Sequence, residues 1–166
     1  MGLKILHSAD WHLDSPFSRF SGERQAYLKA ELRRVPRRIG DLCRREGCDL
    51  VLLAGDLFDG PWCRESAEEV CRVLAEMAVP VFISPGNHDF YSGESPWIQV
   101  RWPENVHVFR KELEYVDLPE LSCRVYGAGY RSMDCPGLLQ GFRAEGVMYY
   151  SVGVLHGDPM HLHSPY

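Results

Sequence analysis

Four short apolar runs, residues 3–6, 50–53, 81–83 and 152–155, each stop against a cluster of Asp, Asn or His. The runs are rich in Val, Ile and Leu and bounded by Gly, Pro, Asp or Ser, the pattern of buried strands. Between the first two, Leu28, Leu32, Val35, Ile39 and Leu42 recur at steps of four and three, which predicts an amphipathic helix. Pro36 lies inside that pattern and is expected to kink the helix or to open a second one. Another helix is predicted over residues 65–77, with Val70, Val73, Leu74 and Met77 as its buried stripe. Strands alternating with helices predict an α/β fold with a mainly parallel central sheet flanked by helices. Residues 106–109, 115–118 and 123–126 read as shorter strands of a second sheet, and Gly127 and Gly129 mark turns. No repeat, low-complexity stretch or linker interrupts the 166 residues, which are expected to form one domain.

The segments that follow the runs carry the chemistry: "HSADWHLD", "AGDLFD", "SPGNHD" and "HGD" in chain order. Loops at the carboxyl ends of strands in an open α/β sheet converge on one crevice, so Asp10, His12, Asp56, Asn87 and His156 are expected to meet there. Gly86 lets the third loop turn tightly. Carboxylate, imidazole and amide oxygen without thiolate suit Mn²⁺, Fe²⁺ or Zn²⁺ in a reactive site rather than a structural zinc. So many ligands point to two ions, and an Asp shared by metals about 3.5–4 Å apart is an arrangement used for phosphoester hydrolysis. Two divalent cations against the carboxylates of Asp10 and Asp56 would leave positive charge for a hydroxide and an anionic phosphate.

DxH in "SADWH", GDxxD in "AGDLFD", GNHD in "PGNHD" and the strand-borne His of "VLHG" together resemble the calcineurin-like metallophosphoesterase superfamily. "HSADWHLDSPF" and "DLVLLAGDLFD" are most similar to the SbcD-type DNA repair exonucleases, especially their YhaO-like branch. The resemblance spans most of residues 3–166 and implies a metallophosphoesterase sandwich. By that resemblance Asp10 and His12 hold the first metal, Asp56 bridges, and Asn87 and His156 hold the second. His88 is implied as the catalytic residue beside the scissile phosphate, protonating the leaving oxygen or stabilising the transition state. Asp89 is implied to orient His88, and a metal-bridging water to attack. The resemblance also implies a DNA-repair nuclease using two divalent ions, Mn²⁺ foremost, with DNA as substrate, an SMC-like ATPase as partner subunit, and a homodimer. Two alternatives stay open: a phosphodiesterase or phosphatase for small phosphoesters or phosphoproteins, and a non-catalytic metal-binding scaffold.

One departure bears on completeness. The superfamily closes its site with Gly-His-x-His on a later strand, and no such motif occurs before Tyr166. His161 and His163 have the His-x-His spacing, but no Gly precedes them and no apolar strand delivers them. Residues 1–166 are therefore expected to be the N-terminal part of a longer metallophosphoesterase domain, with weak metal binding and little or no catalysis by themselves.

Taken singly, Asp14 reads as a cap or loop hydrogen-bonding residue, and Asp59 divides between a turn and support for a functional side chain. His7 reads as a satisfied buried histidine and His107 as structural. Cys43, Cys48, Cys63, Cys71, Cys123 and Cys135 show no CxxC spacing and are expected to be reduced thiols. A net charge of −5 argues against gripping nucleic acid by bulk positive charge, so phosphate affinity must be local. Arg33, Arg34, Arg37, Arg38, Arg44 and Arg45 fall opposite the Leu stripe, as a solvated face or a phosphate-backbone contact. Trp11, Phe58, Phe90, Tyr91 and Trp97 flank the motifs and suit either core packing or stacking on bases. The N-terminal apolar run is too short for a signal peptide or membrane span, so a cytoplasmic protein with no membrane contact is expected.

Overall fold

Leu50 and Leu52 face one way and Val51 and Leu53 the other, and all four are buried. A strand covered on both faces needs a layer on each side, and the computed structural model, which describes residues 2–110, 112–146 and 148–157, supplies them. His161 and His163 lie outside the described residues. The central sheet is β1 (Ile5–Ser8), β2 (Leu50–Leu53), β3 (Val81–Ile83) and β4 (Val106–Val108), all parallel and in that order. The second sheet is β5 (Glu114–Leu118), β6 (Cys123–Gly127) and β7 (Tyr150–Val154), with β5 antiparallel and β7 parallel to β6.

Helices α1 (Gly22–Leu32), α2 (Val35–Glu46) and α3 (Arg64–Met77) precede the short α4 (Pro96–Gln99). Pro36 opens a second helix rather than kinking one, because the first turn has no use for the amide hydrogen that proline lacks. The helix-side core joins Val51, Leu53, Val81 and Ile83 to Cys43, Val70, Val73, Leu74 and Met77, so the stripe expected on α3 is buried as read. The sheet-to-sheet core joins Leu50, Leu52, Phe82 and Phe109 to Cys123, Val125 and Val154. This makes a helix–sheet–sheet sandwich. No helix among the described residues is long and apolar enough to cross a membrane.

Two runs sit in the other sheet from the one expected. The 106–109 run supplies β4 of the central sheet, where Val108 faces the helices and Phe109, just beyond the strand, faces the second sheet. The 152–155 run falls on β7 of the second sheet, where Ser151 and Gly153 are exposed and only Val154 is fully buried. One covered face is what an outer sheet demands.

Asp14 caps from a distance: its carboxylate accepts from the Cys63 amide (2.9 Å) and the Ser66 hydroxyl (2.7 Å) at the start of α3. All six cysteines are free, and burial pushes the Cys71 thiol up to about 11.

Leu74 is fully buried between α3 and the sheet, so Leu74→Ala should lower unfolding free energy by about 2–5 kcal/mol in urea titration. At pH 8 a thiol reagent should leave Cys71 unmodified in the native protein and label it once the chain is denatured.

Candidate metal centre

Past β1 the chain runs alongside the loop that follows β2. The Asp10 amide donates to the Gly55 carbonyl (3.0 Å), His12 to Asp56 (2.9 Å) and Leu13 to Leu57 (2.9 Å). Within this pairing Asp10, His12 and Asp56 take left-handed backbone, with φ of 55°, 47° and 52°. Asp and His are several-fold enriched among the non-glycine residues found there, and each such residue costs on the order of 1 kcal/mol or more. The loop after β3 comes equally close. A Cβ on Gly55 would lie 2.8 Å from the Gly86 Cα and from the His156 Cβ, and a Cβ on Gly86 would fall inside the Asp56 carboxylate. Gly86 is thus required by close approach more than by turn geometry.

Asp89 joins these loops. Its buried carboxylate accepts from the amides of Gly86 (2.7 Å), Leu57 (2.7 Å), Phe58 (3.2 Å) and Asp56 (3.3 Å). Burial pushes its carboxyl up to about 6, against the pull of the Gly86 amide and with a further push from the Asp56 charge. The expectation that Asp89 orients His88 is corrected here: both its oxygens are taken up by backbone amides. The carboxylate on His88 belongs to Asp59, whose Oδ1 lies 2.9 Å from the ring Nδ1. Asp89 braces the two loops against each other through these bonds.

Asp10, His12, Asp56, His88 and His156 line one open cavity of about 460 Å³. Ligand-capable atoms of His12, Asp56 and His88 form one group within 4.8 Å of one another, and those of Asp10, Asp56 and His156 form another. Asp56 belongs to both. The partition differs from the expected one, since Asp10 falls with His156, although its Oδ1 is also 4.0 Å from the His12 Nε2. The Asp56 side chain is 3% exposed and that of Asp10 60%, so Asp56 is the fixed member and Asp10 stands on the open side.

The donor atoms fit a cation. His156 Nδ1 donates to the Ala54 carbonyl (2.8 Å), so in the neutral ring Nε2 carries the lone pair. That lone pair faces Asn87 Oδ1 at 3.0 Å and Asp56 Oδ2 at 3.4 Å. A divalent cation placed among these three atoms would be bound by imidazole, amide oxygen and carboxylate together.

Other residues also find their places. His7 is exposed and lines the cavity, correcting its reading as a buried histidine: β1 is an edge strand, and nothing among the described residues covers that side chain. His107 sits in β4 against Phe82 and Phe109 as a structural residue. Trp11, Phe58 and Trp97 belong to the core, and Phe90 and Tyr91 are half-buried. Tyr130, which the motifs did not signal, is buried with its ring edge-on to His156, the centroids 5.6 Å apart.

Carboxylate and imidazole groups from the ends of β1 and β2 in the central sheet, the loop after β3 and the end of β7 in the second sheet meet in one cavity, the arrangement of a metal-dependent hydrolase. The family profile of the calcineurin-like phosphoesterases matches residues 3–161. The chain belongs to that family. It is 32% identical to the metallophosphoesterase YhaO of Bacillus subtilis (strain 168) over 93% of this chain and 40% of that protein. It is also 32% identical to the D subunit of the nuclease SbcCD of Staphylococcus epidermidis, over 72% of this chain and 32% of that one. The chain thus spans two fifths or less of these relatives. The crystal structure of TT1561 of Thermus thermophilus shares the fold, with a TM-score of 0.54 and 15% identity, covering 98% of this chain and 71% of that one.

Gly86→Ala should displace the Asp56 carboxylate and abolish the strongest Mn²⁺ binding, read by calorimetry of the variant against the parent chain.

Proposed function

We propose that this protein is a metal-dependent phosphodiesterase acting on DNA. The observation that carries the reading is the sharing of Asp56 by two ligand-capable groups in one cavity, one of which includes His88, whose ring is held by Asp59. His12 and Asp56 would hold one cation and Asp56, Asn87 and His156 a second, with Asp10 on the open side between them. Bound divalent cations, Mn²⁺ in our reading, would supply Lewis acidity and a water nucleophile at neutral pH.

The chain's own residues do the rest. The Asp56 carboxylate accepts the His88 amide (2.9 Å), fixing the GNHD turn against the bridging position. Asp59 on Nδ1 sets the tilt of the His88 ring and leaves Nε2 as the nitrogen for the substrate. As the water–phosphorus bond forms and the bond to the leaving oxygen breaks, His88 gives that oxygen its proton. DNA as substrate is supported by the similarity to a nuclease subunit. An SMC-like partner subunit, a homodimer and a cytoplasmic setting are proposed on resemblance alone.

A second reading, hydrolysis of small phosphodiesters, is favoured by the surface. Arg37 pairs with Glu69 (2.8 Å), Arg38 with Glu31 (2.7 Å) and Arg44 with Asp41 (2.6 Å), so much of the arginine face is already neutralised. That weakens its pull on a phosphate backbone.

A full-length version with Mn²⁺ and linear DNA should release nucleotides. His88→Ala should retain Mn²⁺ and cut about 10²–10⁴-fold more slowly, and Asp59→Asn should lower kcat more than it raises KM. Turnover of bis-para-nitrophenyl phosphate with inert DNA would select the small-substrate reading, and Mn²⁺ binding without turnover of either would select a scaffold.

A further inference from the structure

His88 also borders a second cavity, of about 250 Å³, on whose walls lie Phe58, Pro61, Trp62 and Phe90. We propose that this cavity seats a single nucleobase, that of the nucleotide on the leaving-oxygen side of the scissile phosphate. The inference rests on the phosphodiesterase reading above and adds the part of the substrate that the metal centre does not touch.

Size comes first. Cavities for drug-sized ligands run from about 300 to 1,000 Å³, so this one takes one ring system and little more. Chemistry comes next. The lining holds no Arg or Lys and includes the acidic Asp89 and Glu94, which repel a phosphate and leave an uncharged planar ring as the fitting occupant. Trp62 supplies a stacking surface already held in place: its Nε1 donates to the Glu94 carbonyl (2.9 Å), and the side chain remains half-buried rather than lost in the core. Ser92 and the Glu94 carboxylate add polar groups that can meet base edges.

Continuity fixes which base it is. His88 lines this cavity and the metal cavity alike. A phosphoester whose phosphate lies among Asp10, Asp56 and His156 would pass its leaving oxygen by His88 and carry the attached nucleoside onward to Trp62 and Phe90. One imidazole thus stands where the phosphate side of the substrate ends and the ring side begins.

The test compares thymidine 5′-monophosphate with deoxyribose 5-phosphate by calorimetry on the whole chain, with hydrolysis of the methyl diester of deoxyribose 5-phosphate, which carries no aromatic ring, as the base-free activity. The nucleotide should bind about ten-fold more tightly than the sugar phosphate, the scale of one base–aromatic stack. Trp62→Leu should remove that ten-fold advantage and leave deoxyribose 5-phosphate affinity and base-free hydrolysis unchanged. Phe90→Leu, which spares the Trp62 bond to Glu94, should remove part of the advantage, and circular dichroism checks that both variants fold. Equal affinities for nucleotide and sugar phosphate, or a nucleotide preference that survives both substitutions, would overturn the base seat while base-free hydrolysis kept the phosphodiesterase reading. Hydrolysis of neither DNA nor the methyl ester, with a Trp62-dependent nucleotide preference, would end that reading and keep the seat.

Discussion

The metal centre depends on one buried negative charge that sits outside it. Asp89 gathers the amides of Gly86, Leu57, Phe58 and Asp56, and so ties the loop after β3 to the loop after β2. Asp56 returns the favour by accepting the His88 amide. The two carboxylates cross-brace two loops that otherwise share little regular structure. Burying a charge is expensive unless hydrogen bonds compensate, and here compensation and loop registration are the same set of contacts. The spacing between Asp56 and Asn87, two of the candidate ligands, is therefore set by backbone amides rather than by the ligands themselves.

Much of this was readable in the residues because strand ends must converge. Asp10, His12, Asp56 and His156 all reach one cavity, and Asn87 meets His156, although the chain separates the last two by 69 positions. The α3 stripe was equally readable, since a 3.6-residue period identifies a face without help from tertiary structure. Sheet membership was not. The runs at 106–109 and 152–155 are short and apolar, and a run of that kind looks alike in a sheet covered on both sides and in one covered on one. Side-chain direction within the GNHD turn was hidden as well. His88 and Asp89 are neighbours in sequence, which invites pairing them, yet adjacent residues in a tight turn point apart. The third residue after Asp56, within the same GDxxD motif, was the partner His88 found.

Division of labour between the two cavities follows from the same loops. One is lined by ionisable groups from four strand ends, the other by rings from the segments before α3 and α4, and His88 borders both. Arg37, Arg38 and Arg44 on α2 are paired with carboxylates, whereas the ionisable groups of the first cavity face open space.

The left-handed backbone at Asp10, His12 and Asp56 also bears on how this centre can be dissected. Alanine at any of these positions deletes a donor atom and at the same time strands a residue with no local hydrogen bonding in a conformation it resists. Loss of stability and loss of cation would then arrive together and be indistinguishable. At Asp10 and Asp56 asparagine, which tolerates that geometry while surrendering the carboxylate charge, is the cleaner probe, and glycine would relax the loop even as it emptied it.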